Sequence, residues 1–83
     1  MQELIQAIDL ALAGEWDQAH RIVQSIEDKT AYWIHAVLHK IEGDRGNSMY
    51  WYSRAGKVGQ FERDATEELQ EIRRELGGKR NRT

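Results

Sequence analysis

The sequence predicts an all-α chain of four to five short antiparallel helices. Three observations predict it: apolar residues recur at helical spacing, glycines fall where each apolar stripe ends, and there is no proline in 83 residues. Leu4, Ile5, Ile8 and Leu12 give a first helix over about residues 2–13, which Gly14 ends as a left-handed cap. A second helix, about 15–27, places Trp16, Ala19, Ile22, Val23 and Ile26 on one face. Asp28-Lys29-Thr30 turns the chain, with Thr30 as N-cap of a third helix over about 31–42 that buries Ile34, Val37, Leu38 and Ile41. Gly43 stops it, and Asn47 caps a fourth helix over about 48–55, with Tyr52 and Ala55 inward. Gly56 and Gly59 bracket a joint before a fifth helix, about 60–76. Its narrow stripe of Phe61, Ala65, Leu69, Ile72 and Leu76 suits a helix that caps a core on one side only. Gly77-Gly78 ends it, leaving one domain over 1–76 and a basic tail over 77–83.

The chain also carries an internal repeat. Gly14-Glu15-Trp16-Asp17-Gln18-Ala19 has the glycine, aromatic and alanine spacing of the turn inside a tetratricopeptide repeat. Aligning Gly14 with Gly43 also aligns Ala19 with Ser48, Val23 with Tyr52 and Ile26 with Ala55, while Trp16 falls on Arg45. The pattern resembles a tetratricopeptide-like stack of two helical hairpins with a C-terminal capping helix. A second resemblance lies in His35-Ala36-Val37-Leu38-His39-Lys40-Ile41-Glu42-Gly43-Asp44 and Tyr50-Trp51-Tyr52-Ser53-Arg54-Ala55-Gly56. This run is similar to a small, uncharacterised family of microbial proteins with a His-x-x-x-His-x-x-Glu-Gly-Asp … Tyr-Trp-Tyr-x-Arg-Ala-Gly pattern. The resemblance implies a fold and a family, and no activity.

Composition narrows the function classes. The formal charge of −2 supplies no global basic field for nucleic acid. The absence of cysteine excludes disulfides, thiolate metal sites and cysteine nucleophiles, and makes a reducing cytoplasm the expected compartment. No run approaches the roughly 18 apolar residues of a membrane-spanning helix. No established catalytic motif is present.

The chemistry-bearing residues lie on the second and third helices. His35, His39 and Glu42 stand at i, i+4 and i+7, on one flank about 100° from the buried stripe. His20 holds the matching flank of the second helix, and reflection about the Lys29-Thr30 turn sets His20 opposite His39 and Asp17 opposite Glu42. The expectation is a cluster of Asp17, His20, His35, His39 and Glu42. It reads either as a hydrogen-bonded network in which carboxylates fix histidine tautomers, or as a site for Zn²⁺ or another divalent metal whose bound water would support hydrolysis. The sequence demands no cofactor beyond that option, and no catalytic residue is assigned.

Trp33, Tyr50 and Trp51 either form an exposed aromatic surface for a partner or complete the small core. Arg54 is expected to pair with Asp44 or Glu42, or to meet an anionic group of a ligand. The favoured functional expectation is a non-enzymatic helical-repeat module that binds a peptide or another helical surface in the groove between its hairpins, near the aromatic residues, or pairs with a second copy of itself through exposed hydrophobic surface. The alternative is a small metal-binding protein or metal-dependent hydrolase built on the histidine cluster. Neither a membrane nor nucleic acid is an expected partner, and the five-residue run Lys79–Thr83 is too short to carry affinity alone.

Overall fold

The computed structural model describes residues 2–80. Five helices follow in order: α1 (Gln2–Leu12), α2 (Trp16–Val23), α3 (Lys29–Ile41), α4 (Arg45–Ala55) and α5 (Ala65–Arg80). No strand occurs among the described residues.

Aspartates set the helix starts. Asp28 Oδ1 accepts the Thr30 amide at 2.7 Å, so α3 begins at Lys29, and the expected cap Thr30 is the capped residue instead. Asp44 Oδ1 likewise accepts the Asn47 amide at 3.2 Å and starts α4 at Arg45, a turn earlier than an Asn47 cap would allow. Asp64 Oδ2 accepts the Glu67 amide at 3.0 Å, which starts α5 at Ala65 rather than near residue 60. Phe61 therefore sits in the connection, packed on the core with the Arg45 guanidinium 4.5 Å over its ring.

The helix ends divide into two kinds. Gly14 and Gly43 take φ of 85° and 86° after α1 and α3, and Gly56 takes 73° after α4. By contrast, α2 stops at Val23, short of the expected 27, where the Ser25 hydroxyl donates to the Ile22 carbonyl and competes with helical pairing. The expected stop at Gly77-Gly78 is absent, and α5 runs on through both glycines to Arg80. Gly77 does not take a left-handed φ, and a glycine inside a helix raises its cost by about 1 kcal/mol without forbidding it. Of the expected basic tail, residues 79 and 80 thus belong to α5, and 81–83 lie outside the described residues.

The repeat organises the core. Shifted by 29 residues, buried Leu4, Ala7, Ile8, Ala19 and Val23 of the first hairpin fall on buried Trp33, Ala36, Val37, Ser48 and Tyr52 of the second. Leu12 and Ile41 are related by the same shift; both lie at helix ends and are exposed, so neither completes a stripe as the spacing suggested. Each of α1 to α3 packs on its successor, and α3 also packs on α1. α5 lies across α1 and α3 together, burying Leu69, Ile72 and Leu76, and Arg73 pairs with Asp9 at 2.7 Å. It thereby occupies the trough between the two hairpins on that side. None of the described helices is long and apolar enough to cross a membrane.

Candidate metal centre

The α2–α3 packing brings all three histidines together. A ring nitrogen from each of His20, His35 and His39 lies within 4.8 Å of the other two. His20 Nε2 and His35 Nε2 are 3.1 Å apart, and the His20 and His39 ring centroids are 5.3 Å apart. His35 and His39 are 5% and 8% exposed, whereas His20 is half-buried at the edge. Periodicity explains the convergence: i, i+4 spacing stacks His35 over His39 with ring centroids 5.0 Å apart, and His20 faces them from α2.

The two expected carboxylates behave differently. Glu42, at the C-cap of α3, places Oε2 3.1 Å from His39 Nδ1. With Glu42 ionised, that contact requires a proton on His39 Nδ1, so in the neutral ring it is Nε2 that carries the lone pair. Asp17 is exposed and lies outside the ligand-spaced set; it reaches His20 only through its field. A third carboxylate, Asp44, groups with His39 and Glu42, but its oxygens already accept from the Asn47 backbone and, at 2.7 Å, the Asn47 side chain. Sequence spacing passed over Asp44 because its capping role was given to Asn47.

Two indoles wall the cluster. Trp16 stacks on His20 with centroids 4.7 Å apart, while its Nε1–H donates to the Leu38 carbonyl at 2.6 Å. Trp51 of α4 stacks on His35 at 4.0 Å. The Trp16–His20 pair was readable as i, i+4 neighbours; the Trp51–His35 pair depends on how α4 crosses α3.

Burial sets the protonation state. Removal from water holds His35 down at about 4, with repulsion from His20 and His39 adding to it. His20 is also lowered, first by burial and then by His39, while Glu42 and Asp17 oppose the shift. At neutral pH both rings are neutral and keep a lone pair, the form in which imidazole ligates a metal.

The residues marked for partner binding separate. Trp33 is core, 4% exposed, and its Nε1–H donates to Glu68 Oε2 at 2.7 Å. Tyr50 is 52% exposed, and Trp51 is half-buried beneath it. Arg54 does not pair with Asp44 or Glu42. Its guanidinium lies 4.7 Å from the Tyr32 ring centre and 5.2 Å from that of Trp51, and it donates to the Tyr50 hydroxyl at 3.2 Å.

Sequence reasoning missed a second polar centre, on the opposite side of α3. Glu68 of α5 is fully buried and accepts from Trp33, the Tyr52 hydroxyl at 2.8 Å and Lys40 Nζ at 2.7 Å. Lys40 also donates to the carbonyls of Arg63 (2.8 Å) and Gln60 (3.3 Å). Burial, followed by the bond to Glu68, pushes the Tyr52 phenol well above its usual range. The available signal was position: Glu68 stands three residues after Ala65 and four before Ile72, inside the apolar stripe. Both Glu68 oxygens accept from neighbouring side chains and Lys40 is further held by two backbone carbonyls, an arrangement that joins α3, α4 and α5. Compared with known protein families, with curated proteins and with solved structures, the chain matches none.

Proposed function

We propose that the protein binds one divalent first-row transition ion, Zn²⁺ in the first instance, through His20, His35 and His39. The observation that carries this reading is the convergence of three ring nitrogens from two helices within 4.8 Å. A tetrahedral ion with Zn–N bonds of roughly 2.0–2.1 Å sets its ligand nitrogens about 3.4 Å apart. The His20–His35 separation of 3.1 Å is already close to that, and a His39 ring nitrogen lies within 4.8 Å of both. Glu42 on His39 Nδ1 supports the reading as a carboxylate that orients a ligating imidazole. Three neutral imidazoles without a thiolate favour Zn²⁺, Cu²⁺, Ni²⁺ or Co²⁺ over Cu⁺. Kinship with the His-x-x-x-His-x-x-Glu-Gly-Asp family belongs to the same proposal, since that pattern contains two of the three ligands and the orienting carboxylate.

The test is equilibrium dialysis of chelator-treated protein against Zn²⁺, with thermal unfolding alongside. We expect one ion per chain and a melting point several degrees higher with the ion, both lost in His35→Ala and His39→Ala. Folded wild type that takes up no stoichiometric Zn²⁺, Cu²⁺, Ni²⁺ or Co²⁺ would leave the cluster as a hydrogen-bonded network and end the proposal.

The reading as a protein-interaction module rests on a different surface, the exposed Tyr50 with Trp51 and Arg54, because α5 covers the trough between the hairpins. Self-association through that surface predicts a concentration-dependent dimer in sedimentation equilibrium that Tyr50→Ser weakens. A monomer at all concentrations removes it.

A further inference from the structure

Given the metal reading, on which this inference rests, we infer that the bound ion keeps one coordination position for an exchangeable ligand. The centre would then activate water and accept small anions, which a purely structural zinc does not do. Structural zinc sites are closed by four protein ligands, whereas sites that use the ion chemically keep three and leave the fourth to water or substrate.

The side chains around the three histidines favour the second class. Among the described residues, the ligand-spaced set around His20 and His35 contains three nitrogens and no oxygen. Glu42, the nearer of the expected carboxylates, is engaged at 3.1 Å by His39 Nδ1 and so serves as an orienting group. Asp17, the other, is exposed on α2 and outside ligand reach. Asp44, which groups with His39 and Glu42, has both oxygens engaged by the Asn47 amide and side chain, and the indoles of Trp16 and Trp51, which stack on His20 and His35, have no lone pair to offer.

Charge and exposure define what the fourth position takes. Three neutral ligands leave the ion's double charge undiminished. Water bound in such a setting is acidified from about 9, its value on aqueous Zn²⁺, to about 7. An ion held by His20, His35 and His39 would supply an acidified water near neutral pH, and a monoanion would compete for the same place. Access lies at the edge where His20 is half-buried and Glu42 exposed. The two grooves along α1 lie elsewhere; one is about 470 Å³, lined by Leu10, Ile22 and Ile26 among others, and the other includes Ile5 and Arg73. The ligand class is therefore small: water, hydroxide and monoanions such as azide.

The experiment is visible spectroscopy of the Co²⁺-loaded protein, titrated with azide and, separately, with base, after dialysis has established Co²⁺ stoichiometry. We expect d–d bands that shift saturably with millimolar azide and show a reversible change near neutral pH, abolished by competing azide. Bound Co²⁺ whose spectrum ignores both azide and pH would overturn the open position while leaving metal binding intact. No bound Co²⁺ in a protein that also refuses Zn²⁺ would overturn the metal reading itself. Asp17→Ala separates the remaining case: a response to azide gained only in that variant means Asp17 fills the position in the native protein, which also overturns the inference.

Discussion

Lys40 is one residue away from His39 in sequence, yet it serves the other side of α3. Its ammonium, 11% exposed, neutralises the fully buried Glu68. Removing one partner of such a pair leaves an uncompensated buried charge, so Glu68→Ala should lose about 3–5 kcal/mol in urea unfolding. The paired replacement Lys40→Met/Glu68→Met should lose far less than the two single changes combined. The histidine side is sensitive to acid instead. His35 binds its proton at about 4 when folded, against an ordinary 6.5, so between those values the unfolded chain holds more protons than the native one. Stability of the metal-free protein should be fully present above pH 6.5 and fall by about 1–3 kcal/mol toward pH 4. His20, lowered in the same direction, adds to the slope, while the carboxylates of Glu42 and Asp17 oppose it. Denaturation midpoints at a series of pH values check this, and a His35→Asn variant should flatten the profile. The three histidines were legible because each sits at a fixed angle from an apolar stripe. Glu68 was not, because a carboxylate inside such a stripe reads as an interruption until its donors, contributed by α3 and α4, are in place.

At the scale of the element, helix identity followed from periodicity and helix boundaries from single hydrogen bonds. All five helices were visible in the sequence, while the starts of α3, α4 and α5 were misplaced where an aspartate cap went unread, twice in favour of a neighbouring Thr or Asn. Asp64-Ala65-Thr66-Glu67 in fact has the spacing of a capping box, with aspartate in the capping place. Asp64→Ala should cost about 1 kcal/mol, read by chemical denaturation, with the loss of amide-exchange protection confined to the first turn of α5. Gly77 tests the other end. A methyl group there would meet nothing within 4 Å and the residue lacks a positive φ, so Gly77→Ala should stabilise the protein by about 0.5–1 kcal/mol. The same change at Gly56 should destabilise it, although that site is equally open, because its φ is 73°. Differential scanning calorimetry of the two variants gives shifts of opposite sign.

Across the whole molecule, the repeat predicted the pairing of helices one to four but not the path of the fifth. Apolar spacing shows that α5 has one buried face; it does not show which surface receives it. Two exposed stripes, on α1 and α3, await a partner until α5 lies across both, and the Arg73–Asp9 pair marks that return. This exposed pair itself contributes little, because water screens both charges. Because Lys40 grips the α4–α5 connection through the Gln60 and Arg63 carbonyls as well as Glu68, its burial and the docking of α5 form one event. Far-ultraviolet dichroism and tryptophan fluorescence should therefore trace a single coincident unfolding transition. In an open solenoid each repeat touches only its neighbours, so evolution lengthens the array by copying a hairpin into it. Here the last helix comes back to the first, and a third hairpin inserted between α4 and α5 would carry α5 away from α1. Contact between α5 and α1 thus fixes the number of hairpins that fit between them at two.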